Sequence, residues 1–268
     1  MNGGGEIPTV WRMRSVVSAV AVSFAAVVAA ACGSEKGQEA AATVTVTVVA
    51  TTDDGPDAAT VEGEPPEAAD DAAVAEVVPA KTGVSQGDGR EIGYGIVLEN
   101  RSANEDALDV TVTVNILDAA GDVIATEAER INVIPAGETF YLGGASYGDE
   151  RTRAVALETI VDVGSSEPAA YPLPQVTKVT VTRDEFLGYR VRGEVVNNLD
   201  QPLSSFAKIG IVLFDERGEV VGGGFTFLDA ELPPGRRAGF EAGNGISAAP
   251  GGRVSEARAS VNNEVTPS

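Results

Sequence analysis

The sequence contains no histidine and a single cysteine, Cys32. Without histidine the chain cannot form a Ser-His-Asp triad, a Cys-His dyad or a histidine-based zinc site. One cysteine allows no disulfide within the chain, so any exported domain has to be stable through burial of its core alone. These absences exclude several common hydrolytic chemistries.

Aromatic and basic residues are also scarce. Aromatic residues make up 5% of the chain and Trp11 is the only tryptophan. An antibody-type core, which needs a central tryptophan packed on a disulfide, is therefore excluded. The chain carries 40 acidic and 19 basic residues, a net charge of −21. We expect no binding to nucleic acid, because phosphate contacts require clustered lysine and arginine.

The N-terminal segment combines basic and apolar residues in the order of an export signal. Arg12 and Arg14 precede an almost uninterrupted apolar run over residues 16–31. The run is shorter than the roughly 20 residues that a bilayer-spanning helix needs. We therefore predict a secretory signal peptide over residues 1–31. Translation could also start at Met13, which keeps one of the two arginines.

Small residues lie directly before the cysteine. Ala30 and Ala31, followed by Cys32, resemble the lipobox of bacterial lipoproteins. The resemblance implies that the thiol receives a diacylglycerol, that the preceding peptide bond is cut, and that the lipid holds the protein at the outer face of the cytoplasmic membrane. Several acyl chains would make this anchoring durable, since each buried CH₂ contributes about 0.8 kcal/mol. The alternative is an ordinary signal peptide in which Cys32 is incidental.

The segment from residue 32 to residue 77 has the composition of a disordered acidic tether. It holds eleven acidic residues, one basic residue and no aromatic residue. So little apolar bulk cannot offset the entropy lost on ordering. One stretch inside it, Thr43 to Val49, alternates threonine and valine as a strand does. Two interpretations remain open: a strand that adds to another sheet, or a solvated low-complexity stretch.

From about residue 78 the sequence shows short β-type runs separated by turn signals. Valine or isoleucine occupies every second position over 110–116, which predicts a strand with one buried face. Asp118 and Gly121 then suit the first and fourth positions of a type I turn, and Gly137 follows a second turn proline. No sustained 3.6-residue period occurs, so the region is predicted to be all-β.

The same landmarks return about 98 residues later. The first turn is repeated by Asp215 and Gly218, the Pro-Ala-Gly turn by Pro-Pro-Gly ending at Gly235, and Asn100 by Asn198. We interpret this as two tandem copies of one domain. The predicted boundaries are a first β-sandwich over 78–165, a proline-containing linker over 166–174 and a second β-sandwich over 175–265.

Two copies of six or seven short strands indicate tandem immunoglobulin-like β-sandwiches. The run Ile211 to Asp215, with Gly218 and the Pro-Pro-Gly turn, resembles the bacterial FxLYD-type domain, and residues 114–118 match it more loosely. The resemblance implies a small extracytoplasmic β-sandwich without catalytic residues. In the second copy, Arg190 and Arg192 share a strand face. That face is either a contact for an anionic polymer or for the first copy, or simply solvated.

One apparent catalytic signature is interpreted as coincidence. Ser205 and Lys208 fit the S-x-x-K motif of penicillin-binding proteins, and Lys81 begins a K-T-G sequence, but their order is reversed and no S-D-N lies between them. The sequence therefore predicts a non-enzymatic, lipid-anchored envelope protein without cofactors, which binds or scaffolds an envelope protein or polymer. The alternatives are a receptor for a small ligand or calcium held by loop oxygens, and an envelope hydrolase that uses no histidine.

Overall fold

A computed structural model describes residues 75–87, 89–184, 188–243, 245–249 and 253–263. The predicted signal peptide and nearly all of the predicted acidic tether, including Cys32, lie outside the described residues. The described chain is all-β, as predicted, and its strands pair in an antiparallel manner.

The first copy is built from seven strands in two sheets. Sheet I has the strand order β1-β2-β5, and sheet II has the order β4-β3-β6, with β7 also paired to β3. The strands are β1 (Val77–Gln86), β2 (Glu91–Asn100), β3 (Glu105–Leu117), β4 (Val123–Ile134), β5 (Thr139–Tyr147), β6 (Ala156–Asp162) and β7 (Ser165–Pro168).

The second copy repeats this topology. Sheet III has the order β8-β9-β12, and sheet IV has the order β13-β11-β10-β14. Its strands are β8 (Gln175–Asp184), β9 (Gly188–Val196), β10 (Lys208–Phe214), β11 (Val220–Phe227), β12 (Arg237–Ala242), β13 (Ser247–Ala248) and β14 (Glu256–Asn262). In each copy the first, second and fifth strands form one sheet, as in immunoglobulin-like sandwiches. The other sheet combines the third and fourth strands with β6 in the first copy and with β13 and β14 in the second, where β14 takes the place of β6.

The alternating sequence pattern places one face of each central strand in a core. On β3 the four alternating residues Val110, Val112, Val114 and Ile116 are fully buried. They pack against the buried face of β2, which contributes Ile92, Tyr94, Ile96 and Leu98. The second copy has its own core, centred on Val191, Val195, Ile209, Ile211 and Leu213.

A buried asparagine closes β2 in the first copy, and its counterpart directly follows β9 in the second. The Asn100 side-chain amide donates to the carbonyls of Glu105 and Ile134 at 2.9 Å, and its oxygen accepts the N–H of Ser102. Asn197 makes the equivalent three bonds in the second copy. The sequence alignment of Asn100 with Asn198 was therefore wrong by one residue, because the true offset at this position is 97.

The predicted linker over 166–174 differs from the structure at its start. Its first three residues belong to β7, which pairs with β3. Beyond β7, the backbone N–H groups of Ala170 and Tyr171 donate to the carboxylate of Asp106, which also accepts from Ala136. Asp106 is 1% exposed. The start of this connection is therefore bound to the first copy by hydrogen bonds.

Replacing Asn197 with alanine should lower the free energy of unfolding by about 3 kcal/mol. The change removes the hydrogen-bond partner of the Gln201 and Leu232 carbonyls and of the Leu199 N–H, and the Leu232 bond is buried. An unsatisfied buried group costs about 1–3 kcal/mol, and the two half-buried bonds add less. Urea unfolding of the variant measures the loss. The neighbouring Asn198→Ala variant is the control, since Asn198 is exposed. Equal losses in the two variants would contradict the assignment of Asn197 as the structural residue.

Candidate functional site

The two predicted aspartate turns have the same hydrogen bonds in both copies. The Asp118 carboxylate accepts the N–H groups of Ala120 and Asp122, and Gly121 has a φ of 86°. Asp215 accepts from Arg217 and Glu219 in the same way, and Gly218 has a φ of 75°. Glycine adopts this left-handed region without a steric penalty. In the proline-glycine turns, Gly137 and Gly235 both have a φ of 70°. All six residues shape loops between strands.

The outer face of sheet I lies directly against the outer face of sheet IV, and we call this contact the inter-sandwich interface. At its centre the two backbones approach each other through glycine. A Cβ added at Gly143 would lie well under 3.0 Å from the carbonyl oxygens of Gly224 and Ile211, and one added at Gly210 would lie 2.7 Å from the Tyr141 oxygen. Real Cβ atoms essentially never come this close, so glycine is required there.

Apolar side chains fill the interface beside the glycines. Val97 of sheet I and Val212 and Phe214 of sheet IV form one buried cluster, with Tyr141 and Val220 packed against it. The rings of Tyr141 and Phe214 meet edge to face, with their centroids 6.3 Å apart, in the geometry that aromatic pairs prefer. The centre of the contact is therefore apolar and closely packed.

A largely buried ion pair spans the edge of the same interface. Lys208 Nζ of the second copy lies 2.6 and 2.7 Å from the two carboxylate oxygens of Glu129 in the first. The two side chains are only 14% and 18% exposed. The ammonium group also lies 4.5 Å from the centre of the Phe225 ring, a favourable cation–π distance. This pair therefore fixes the two copies relative to each other through charge as well as packing.

Tyr94 completes the first-copy side of this ion pair. Its hydroxyl donates to Glu129 Oε1 at 3.0 Å. Burial raises the pKa of Tyr94, and the neighbouring Glu129 carboxylate raises it further. The phenol therefore stays protonated and remains a donor to the carboxylate. Lys208, the lysine of the S-x-x-K sequence, is engaged in this structural pair.

A second lysine ties the copies together at another point. Lys81 Nζ on β1 donates to the carbonyl of Gly218 at 2.6 Å and lies 3.7 Å from Glu219. The turn at Asp215–Gly218 therefore contacts the first copy. Lys81 opens the K-T-G sequence, so both lysines of the apparent catalytic signature contact the other copy.

The arginine face of the second copy points away from the interface. Arg190 and Arg192 lie on the outer face of sheet III, where their guanidinium groups reach Glu241 at 2.9 and 2.6 Å. In the described part of the chain, the partner of both guanidinium groups is therefore Glu241 of the second copy. The alternative in which these arginines contact the first copy is not the arrangement that the structure has.

An edge groove lies between the two sheets of the first copy. It has a volume of about 190 Å³ and is lined by β1 from Pro79 to Val84 and by residues 155–159 around β6. Both strands are edge strands of their sheets. Val155 and Ile160 beside it are 51% and 52% exposed. An open side of this kind can accept an extended segment.

The predicted lipidation site, Cys32, lies outside the described residues. In the parts of the chain that the structure describes, no helix is long and apolar enough to cross a membrane. The same residues contain no group of three or more histidine, cysteine, aspartate or glutamate side chains arranged to hold a metal ion.

Sequence reasoning did not identify the residues that matter at the interface, although a signal for them exists. Gly93 and Gly95 interrupt β2, and Gly222–Gly224 interrupt β11. Glycine inside a strand pattern often marks the close approach of another backbone. Glu129 and Lys208 carry no such signal, because nothing local relates residues 79 positions apart.

Comparisons with known proteins give no close relative. No family model and no curated protein matches the sequence. Among solved structures, red sea bream transglutaminase is 10% identical, with a TM-score of 0.23, over 63% of this chain and 27% of its own; this chain therefore spans about a quarter of that protein. A structure of oxalate decarboxylase is 8% identical, with a TM-score of 0.11, over 71% and 78%. Similarities this weak say nothing about function.

Replacing Gly143 with alanine should lower the free energy of unfolding by about 3 kcal/mol, because the new methyl group has to push the two sheets apart. Chemical unfolding measures the loss, and amide exchange on β5 and β10 locates it. Gly239→Ala is the matched control, since its nearest added contact would be an ordinary 3.8 Å. An unchanged stability of Gly143→Ala would show that the interface is looser than described.

Replacing Lys208 with methionine should lower the free energy of unfolding by about 3 kcal/mol, since it leaves the Glu129 carboxylate unpaired at a largely buried position. The double variant with Glu129→Gln should recover part of this loss. A double-mutant cycle measures the coupling, expected to exceed about 1 kcal/mol. The exposed pair Arg130–Asp109, 2.8 Å apart, is the control and should couple more weakly. Equal coupling in the two pairs would contradict the role of Lys208.

Proposed function

We propose that the protein is a non-enzymatic, lipid-anchored protein of the cell envelope, which displays two immunoglobulin-like sandwiches to bind or scaffold an envelope component. The lipobox-like residues before Cys32 support the anchor. The acidic composition of residues 32–77 supports a tether between the membrane and the sandwiches. The resemblance to FxLYD-type domains of extracytoplasmic proteins supports the same location, at the outer face of the cytoplasmic membrane.

The observation that carries this proposal is the inter-sandwich interface. Domains joined in one chain commonly move relative to each other unless their interface is large and apolar. Here glycine-mediated contact, the cluster around Phe214 and the Glu129–Lys208 pair hold the copies together. A fixed pair presents its outer surfaces at constant separation and orientation, which is the property that a scaffold needs.

The surface charges favour an envelope protein or an uncharged polymer as the partner. Residues 78–167 contain sixteen acidic and six basic residues, so the first copy repels polyanions. On the second copy, the basic groups of the sheet III face are paired with carboxylates: Arg190 and Arg192 with Glu241, and Lys178 with Glu194.

A second candidate function is a receptor for a small ligand, and the edge groove favours it. The groove has a polar lining residue, Thr159, next to the apolar Val84 and Leu157. Its volume of about 190 Å³ is smaller than the roughly 300–1,000 Å³ of typical ligand pockets. For this reason the scaffold is the function that we put forward.

A Cys32→Ala variant expressed in its native host separates the anchor from the binding function. Without the thiol no diacylglycerol can be attached, so the intact mass of the protein should lack the lipid and should include the uncleaved signal segment. The purified variant should still co-purify with the same envelope component as the wild type, because the sandwiches are unchanged. Ser34→Ala is the control and should behave as wild type.

Two results would count against the proposal. A Cys32→Ala protein that is processed to the same mature mass as the wild type, apart from the substitution itself, would exclude the lipid anchor. The second test uses gentle cross-linking in cells, with Gly143→Ala as the variant that disturbs the interface. If the wild type, Cys32→Ala and Gly143→Ala all retain no envelope component, the scaffold function is wrong.

A further inference from the structure

The edge groove of the first copy has two unpaired strand edges on the same side of the sandwich. Among the residues that the structure describes, β1 pairs only with β2, and β6 pairs only with β3. Each therefore presents backbone N–H and C=O groups that no other described strand uses. Proteins normally cover or interrupt such edges, and β1 carries only one irregularity, between Pro79 and Lys81. From Thr82 to Gln86 the register between β1 and β2 is uninterrupted.

A buried hydroxyl without a partner lines this groove. Thr159 is 2% exposed, and its Oγ1 atom makes no hydrogen bond within the described part of the chain. An unsatisfied buried polar group costs about 1–3 kcal/mol, so an occupant that supplies a backbone partner would be stabilising. In the second copy the equivalent position, judged from the pairing with β3 and β10, is Ala259. The unpaired hydroxyl is thus a property of the first copy.

The sequence offers one segment suited to this groove. We propose that Thr43–Val49 of the same chain adds to the β1 edge as an extended strand, with Val44, Val46 and Val48 facing the groove. Alternating valine places three β-branched apolar side chains on one face, and these match the apolar lining at Val84 and Leu157.

The position and charge of this segment agree with the proposal. Between Val49 and the start of β1 at Val77 lie 27 residues, which as a flexible chain span roughly 30 Å. Strand and groove are therefore present at a high effective concentration. Residues 40–52 carry no charge, although the surrounding tether is acidic. An uncharged strand avoids repulsion by the acidic first copy. This inference does not depend on lipidation, since the segment follows Cys32.

Hydrogen exchange on the full mature chain tests the proposal. A V44N/V46N/V48N variant should raise the exchange rates of backbone amides in Thr82–Val84 and in β6 by tenfold or more, because the new side chains lose the apolar contact with Val84 and Leu157. The control T43N/T45N/T47N places the same uncharged side chains on the opposite face of the strand and should exchange like the wild type. Amides of β8 and β14 in the second copy are the internal reference.

A photoreactive residue introduced in place of Ala156 tests independently whether residues 43–49 lie in the groove. It should cross-link to a peptide that contains residues 43–49 within the same molecule, in the wild type and in the threonine control but not in the valine variant. Three results would each overturn the proposal. The valine variant could exchange like the wild type, both variants could have equal effects, or the cross-links could form only to a second copy or to another protein.

Discussion

The contact of backbone on backbone between sheets I and IV is the constraint on which the rest of the structure depends. Side chains normally keep packed sheets about 10 Å apart, and the glycines at positions 143 and 210 remove that spacing at the centre of the interface. This close approach brings Lys208 within reach of Glu129 and Lys81 within reach of the Gly218 turn. The ion pairs follow from the approach, because a wider gap would leave them apart.

The two copies have diverged where this contact is made. In the first copy Gly95 pairs with Gly143 across β2 and β5. The equivalent cross-strand pair in the second copy is Arg192 with Glu241, whose carboxylate also binds Arg190. Large charged side chains prevent another sheet from approaching the backbone. The contact joins different faces of the two copies, and such contacts can continue indefinitely. Sheet III therefore lacks the glycine pair through which sheet I makes this contact.

Local features of the fold were predictable from the sequence, whereas the interface was not predicted, and only its glycines within strands carry a signal for it. Strand alternation on β3 depends on neighbouring residues, and so do the turns at Asp118 and Asp215, which their own side chains stabilise. The counterpart of Asn100 is Asn197, whereas the sequence alignment chose Asn198, because the offset between the two copies changes from one landmark to the next. The connection after β7 was misjudged because its partner, Asp106, lies far away in sequence. The ion pair across the interface depends on tertiary geometry that no local pattern encodes.

The interface also decides which surfaces remain for a partner. It covers the outer faces of sheets I and IV and leaves those of sheets II and III. Sheet II presents Glu158 and Asp162 beside threonines, and sheet III presents arginines already bound to carboxylates. A polyanion would meet repulsion on one face and would have to break existing ion pairs on the other. Recognition through shape, through hydrogen bonding or through an exposed strand edge is therefore more favourable than recognition through charge. A partner protein can use all three, and an uncharged glycan can use the first two.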